Sequence, residues 1–289
     1  MLRQSIPGAA VAAAALVLAT AAHAGEAGPD KGGFNLFNPT PRALLRELST
    51  DRPDKTESAY TVDAGHFQIE ADLLNFSSDR YNGDPSDTKT ESWSVANTNL
   101  KVGLLNNVDL QLVVATYNHV RTEDRDAGFV EESSGFGDLI TRLKINLWGN
   151  DGGRTAFALM PFLKFPTAQD HLGNGAFEGG LIVPLAVSLP ADWNMGVMTE
   201  FDFNQDDSGD GYDIEFINTI TFSHAIVGDL SGYAEFFSSV RRGSEWVGTV
   251  DLGLTYGLTD DIQLDAGINL GVTRAADDLN PFVGASWRF

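Results

Sequence analysis

The closing stretch of the chain, Asp261–Phe289, constrains the fold most. In its first half Ile262, Leu264, Ala266, Ile268, Leu270 and Val272 fall on one face, and Gln263, Asp265, Gly267, Asn269 and Gly271 on the other. That alternation over eleven residues is the mark of a strand with one apolar side, at the length that crosses a bilayer when tilted. After a short loop, Pro281, Val283, Ala285, Trp287 and Phe289 face one way, and Phe282, Gly284, Ser286 and Arg288 the other. Such a hairpin suits either the edge of a soluble β-protein or the wall of a membrane barrel, and the rest of the chain decides between them.

The amino terminus predicts export. Arg3 gives a basic start, Ala9–Ala22 is an apolar run, and Ala22-His23-Ala24 is a small-residue cleavage site, so residues 1–24 are expected to be a cleaved signal peptide. No later stretch approaches the roughly 18 apolar residues of a spanning helix. A membrane form must then be a closed barrel, the other way to pair every backbone group in lipid. A mean hydropathy of −0.12 fits strands that are apolar only at alternate positions. The formal charge of −21 argues against nucleic-acid partners, whose phosphates need Lys and Arg. With no Cys in the chain, a disulfide framework is excluded.

Residues 25–65 are polar and carry no strand alternation. Arg42–Leu48 is expected to make two helical turns, capped by Thr40 with Pro41 at the first position. The segment reads either as a periplasmic tail or as a plug folded into a barrel. Residues 66–289 predict an all-β fold, an antiparallel up-and-down transmembrane barrel of about 12 strands. The expected strands are His66–Ser77, Ser92–Leu104, Val108–Arg121, Phe136–Trp148, Arg154–Pro166, Phe177–Leu189, Trp193–Phe203, Tyr212–Ile226, Leu230–Val240, Trp246–Tyr256, Ile262–Val272 and Pro281–Phe289. Their connections alternate between short turns, such as Pro190–Asp192 and Val227–Asp229, and mostly longer acidic loops, such as Ser78–Thr90 and Thr122–Gly135. Segregation of loops by parity is what a barrel with short periplasmic turns and longer outer loops shows.

Along the strands the charges avoid the apolar face, where Lys or Arg at mid-bilayer costs about 2–4 kcal/mol. The expected lumen acids are Glu70, Asp72, Asp109, Asp138 and Glu178, then Glu200, Asp202, Glu235, Asp251 and Asp265. The expected lumen bases are Lys101, Arg142, Lys144, Lys164 and Arg288. They read either as a structural lattice of ion pairs or as a constricted, cation-favouring path. Trp148, Trp193, Tyr256, Trp287 and Phe289 suit aromatic girdles at the interfaces. Apolar residues occur in both parities of Ser92–Leu104 and Tyr212–Ile226, so their register stays open.

No catalytic residue, metal ligand or cofactor is assigned. Asn150, Asp151 and the Asp206, Asp207, Asp210 cluster read as solvated acidic loops, since none matches an EF-hand. His66, His119, His171 and His224 are scattered over separate strands and loops, there is no G-x-S-x-G, and no phosphate-binding fingerprint is present. A lipid hydrolase would have to use His119 with Ser133 or Ser134.

Several stretches resemble the outer-membrane family of the meta-cleavage (MetA) pathway of phenol degradation. They are STDRPDKTESAYTVDAGHFQIE (Ser49–Glu70), GFGDLITRLKINL (Gly135–Leu147), PFLKFPTAQDHLGNGAFEGG (Pro161–Gly180) and LSGYAEFF (Leu230–Phe237). Ala59 stands where that family's pattern has Pro, and Ala168 where it has Gly. The aromatic terminus, Trp287 and Phe289, also resembles the assembly signal of outer-membrane barrels. The resemblance implies location in the bacterial outer membrane, contact with lipid and lipopolysaccharide, the barrel assembly machinery as a partner, and a transporter role for hydrophobic or aromatic molecules. It supplies no catalytic site. The expected function is therefore a passive, narrow, gated channel in a monomer, with a structural or sensor barrel, or a lipid hydrolase, as the alternatives.

Overall fold

A computed structural model describes residues 30–80, 87–169, 172–206 and 208–289. The expected signal peptide, His171 and Asp207 lie outside the described residues. The strands are β1 (Phe67–Asp79), β2 (Thr88–Val95), β3 (Asn97–Leu105), β4 (Val108–Val114) and β5 (Tyr117–Asp124). They continue with β6 (Phe129–Gly135), β7 (Leu139–Trp148), β8 (Thr155–Phe165), β9 (Glu178–Ser188) and β10 (Asn194–Gln205). The last are β11 (Tyr212–Val227), β12 (Leu230–Arg241), β13 (Val247–Thr259), β14 (Ile262–Gly271) and β15 (Leu279–Arg288). All pair antiparallel in one sheet, and β15 pairs with β1 to close it. Three passes through the wall are broken in two, β2 with β3, β4 with β5 and β6 with β7, so the fifteen strands make the twelve passes of a closed barrel.

The breaks explain the ambiguous register of Ser92–Leu104. Trp93 and Val95 are exposed before Ala96, and Leu100 after it, so the outward parity changes at that residue. Ala96 sits in the left-handed region at φ 57°. Thr98 and Thr116 both donate their hydroxyls to the Ala96 carbonyl, at 2.6 and 2.8 Å. A register shift between Asp72 and Leu74 on β1 lies beside the break and bends the same part of the wall. Tyr212–Ile226 has a different cause. From Tyr212 to Phe222 its outward residues keep one parity and Ile217 packs inside, whereas Ala225 and Ile226 are both exposed beside a register shift at Ala225/Val227.

Two expectations are corrected. The loop expected at Thr122–Gly135 carries β6, whose seven residues pair with β5 from Asn118 to Asp124. The helix expected over Arg42–Leu48 is a single 3-10 turn, Arg42–Leu44, with no side-chain cap. Arg46 is drawn instead into side-chain and backbone contacts with the short turns, where its guanidinium bonds Asn106 and Asp151.

The outside of the ring is apolar. Leu110, Leu252, Leu264 and Val283 are exposed on it, with Trp148, Trp193, Tyr256, Trp287 and Phe289 toward the strand ends. Among the described residues no helix is long and apolar enough to cross a membrane. A closed ring with such a belt is a membrane barrel, because lipid satisfies the belt and the ring leaves no unpaired edge at its seam. At that seam Phe67 and Phe289 exchange backbone hydrogen bonds of 3.0 and 2.9 Å, and their rings stack at 5.9 Å.

Candidate functional site

The segment before β1 enters the barrel and returns. Its two ends are fixed at the foot of β3. On entry, Asn35 bridges Leu105 and the Leu36 amide donates to the Leu104 carbonyl. On exit, Ala64 bridges Gly103 and the Gly65 amide donates to the Gly103 carbonyl. The Thr40 amide, donating to the Ala64 carbonyl at 2.9 Å, ties the two arms into a neck. Gly103 is required here, since a Cβ would lie 2.1 Å from the Asp63 carbonyl oxygen. The intervening residues make an Ω-like loop closed at its base. The described part of the segment is thus tied to β3 at both ends.

Four charges at the tip of the loop, Asp51, Arg52, Lys55 and Glu57, are matched to opposite charges on the wall, while Asp54 lies beside the acid Glu235. Asp51 pairs with both Lys101 on β3 and Lys144 on β7. Arg52 pairs with Asp265 on β14 at 2.7 Å and Asp72 on β1 at 2.6 Å. Lys55 reaches Asp251 on β13 at 3.2 Å, and Glu57 meets Arg142 on β7 at 2.6 Å. The backbone joins in. The Asp51 amide donates to Glu70, the Lys55 amide to Glu235 at 2.8 Å, and the Val62 amide to Asp109 at 2.9 Å. At these four positions the wall supplies the opposite charge. Gly284 makes room for this, because a Cβ there would lie 2.0 Å from the Arg52 guanidinium.

The expected lumen residues fall into four groups. Glu70, Asp72, Lys101, Asp109, Arg142, Lys144, Glu235, Asp251 and Asp265 hold the loop as described. Arg288 belongs to its root, with Nη1 donating to the Arg46 carbonyl and Nη2 paired with Asp261 at 2.9 Å. Asp138, Lys164 and Glu178 form a separate ion cluster toward the outer loops, with Lys164 between the two acids. Asp138 also accepts the Thr167 and Ala168 amides, both at 2.9 Å, which fixes the start of the loop after β8. Glu200 and Asp202 lie two residues apart on the same side of β10 as buried Met198.

Two features were missed from sequence. The first is an apolar column inside the ring. Met160 on β8, Ile182 on β9 and Met198 on β10 are 0, 1 and 2% exposed, with Phe162 and Ile217 packed against them. Below them Ala156 and Ala158 pack against Ala59 and Tyr60 of the loop. Its signal was the apolar content of Thr155–Phe165 in both parities. The second is the use of Asn150 and Asp151, which are not a solvated acidic turn. Asn150 accepts the Thr61 amide at 3.1 Å, and Asp151 pairs with Lys31 at 2.9 Å and Arg46 at 3.0 Å. Partial burial works against ionisation of Asp151, but the Lys31 and Asn106 hydrogen bonds and the Arg46 charge outweigh it and hold the carboxyl below its usual range.

Among the described residues no group of three or more His, Asp or Glu is placed to hold a metal ion. His66 bonds the Thr40 carbonyl and His224 the Ala191 carbonyl. His119 lies opposite Ser134 in the β5–β6 register, stacked on Trp93, with no hydrogen bond to that serine among the described residues. Ser133 is opposite Val120.

The fold has known counterparts. An outer-membrane channel from Pseudomonas putida F1 superposes with a TM-score of 0.55 at 14% identity, over 83% of this chain and 100% of that one. The β domain of the Bordetella autotransporter BrkA matches at a TM-score of 0.48 and 14% identity, over 78% of this chain and 99% of its own. No curated protein sequence matches the chain. The family model described as "Putative MetA-pathway of phenol degradation" matches residues 50–289. That match opens at the tip of the lumenal loop and runs to the residue that seals the seam, and the chain belongs to this family.

Proposed function

We propose that the protein is an outer-membrane channel that passes small hydrophobic or aromatic molecules passively, with residues 30–65 constricting or gating the path. The carrying observation is the apolar column of Met160, Ile182 and Met198 inside a ring whose buried inner side chains are mostly polar or charged. It lies against the loop, where the Glu57 amide is 3.4 Å from the Met198 sulfur. At rest the column is buried, so it would stabilise an apolar solute, at roughly 25 cal/mol per Å² removed from water, only once the loop moves off it. The outer cluster of Asp138, Lys164 and Glu178 and the inner charges Arg142 and Lys144 would line the same route. The family membership and the channel-type fold support this reading.

A second reading, a structural or sensor barrel with a filled lumen, is favoured by the ion pairs that cross the ring through Asp51, Arg52, Lys55 and Glu57. Planar-bilayer conductance and liposome uptake of an aromatic solute separate the two. The channel reading expects low conductance from the full mature chain and a large rise on deletion of residues 30–65. Absence of permeation by both proteins would overturn it. We further take the protein to be a monomer that is delivered by the barrel assembly machinery through its Trp287–Phe289 terminus.

A further inference from the structure

The chain carries 40 acidic residues, yet Gly32–Pro41, GGFNLFNPTP, has no charge of either sign and is flanked by Lys31 and Arg42. This stretch forms the entry arm at the foot of β3, on the side of the short turns. Its tip is a built turn. The Asn35 side chain accepts the Phe37 and Asn38 amides at 2.9 and 3.1 Å, and the Asn38 side chain donates to the Gly33 carbonyl at 3.1 Å. The turn presents Phe37 with 93% of its surface exposed, more than any other large apolar side chain among the described residues.

A benzyl side chain held out by a fixed turn gains nothing from water. What adjoins it is the apolar rim. Asn35 bridges Leu105, itself exposed, and the Phe67–Phe289 stack caps the adjoining strand ends. Above that rim the wall has an apolar groove of about 290 Å³, lined by Phe67, Ile69, Leu100, Val102, Leu110 and Phe289. The Arg42 side chain follows, paired with Asp261 at 2.5 Å yet 78% exposed, and an exposed guanidinium beside an apolar rim suits lipid headgroups.

We propose that Phe37 inserts into the leaflet bordering the short turns, so that the entry arm of the lumenal loop is anchored in lipid. The partner is a phospholipid surface, and the contact is an interfacial aromatic one of the kind that girdles barrels. The arm and the wall then share one membrane, and the loop is held at its root from outside the lumen as well as by its neck.

The chain has no Cys, so one engineered thiol can be labelled cleanly. The test places a nitroxide at Phe37→Cys in the full mature chain, reconstituted alone in phospholipid vesicles. Collision rates with oxygen and with a water-soluble nickel chelate are compared with Leu264→Cys on the lipid-facing belt and Ser208→Cys in an outer loop. Phe37 supports little packing, and the heat-modifiable folded band confirms assembly of each variant. The expected result is an oxygen-to-nickel ratio at position 37 shifted from the Ser208→Cys value to that of Leu264→Cys. A ratio equal to that of Ser208→Cys would overturn the proposal. Protection appearing only in native outer membranes, and not in these vesicles, would also overturn it, because a protein partner would then cover the turn.

Discussion

Asp51 joins the loop to two buried bases on the wall. It accepts from Lys101, Lys144 and Gln111 and from the Ser58 amide, and Lys144 is wholly buried. Breaking a buried pair by removing one partner typically costs about 3–5 kcal/mol, because the other charge stays behind. Asp51→Asn should lower the temperature at which the folded band is lost and raise amide exchange across Ser49–Ser58, with exchange mass spectrometry as the readout. A second prediction concerns pH. Asp151 has a folded pKa below its unfolded one, so its contribution is fully present above the ordinary carboxylate range and is lost as pH falls through the folded value. Thermal melts should show a drop in stability on that acid limb, and Asp151→Asn should flatten it. Little of this was legible beforehand. Sequence assigned Lys101, Lys144 and Arg142 to the polar face because lipid disfavours them on the other. It did not pair them, because a segment without periodicity has no register to read.

The elements show where pattern reading succeeds and where it stops. From β8 to β15 each expected strand overlaps the observed one, since alternation is enforced by lipid outside and polar groups inside. The β2–β3 pass departed from expectation because Ala96, a residue type that does not announce a left-handed conformation, takes one and changes the outward parity. The lumenal loop depends in turn on the foot of β3. Gly103→Ala should place a methyl group against the Asp63 carbonyl, undock the returning arm and raise exchange over Asp51–Ala64. Strands β8–β15 should keep their protection, since their pairings do not involve β3. Loss of protection throughout would show that the loop supports the wall rather than merely resting in it.

At the scale of the whole molecule the ring closes on its own terminus. Deleting Phe289 removes two backbone hydrogen bonds and the stack on Phe67, a pairing of aromatic rings worth about 0.5–1.5 kcal/mol beyond its burial. The expected outcome is a smaller heat-modifiable fraction on refolding, with the assembled remainder melting earlier. The neck at Thr40 and Ala64 has a mechanical consequence. A cord stitched down at one point on both of its strands transmits no tension into the slack between them. A pull on the amino terminus would load the hydrogen bonds at Leu104 and Ala64 in shear and leave the buried charges unstrained, so opening the lumen calls for a push on the bight itself and not a tug on the tail.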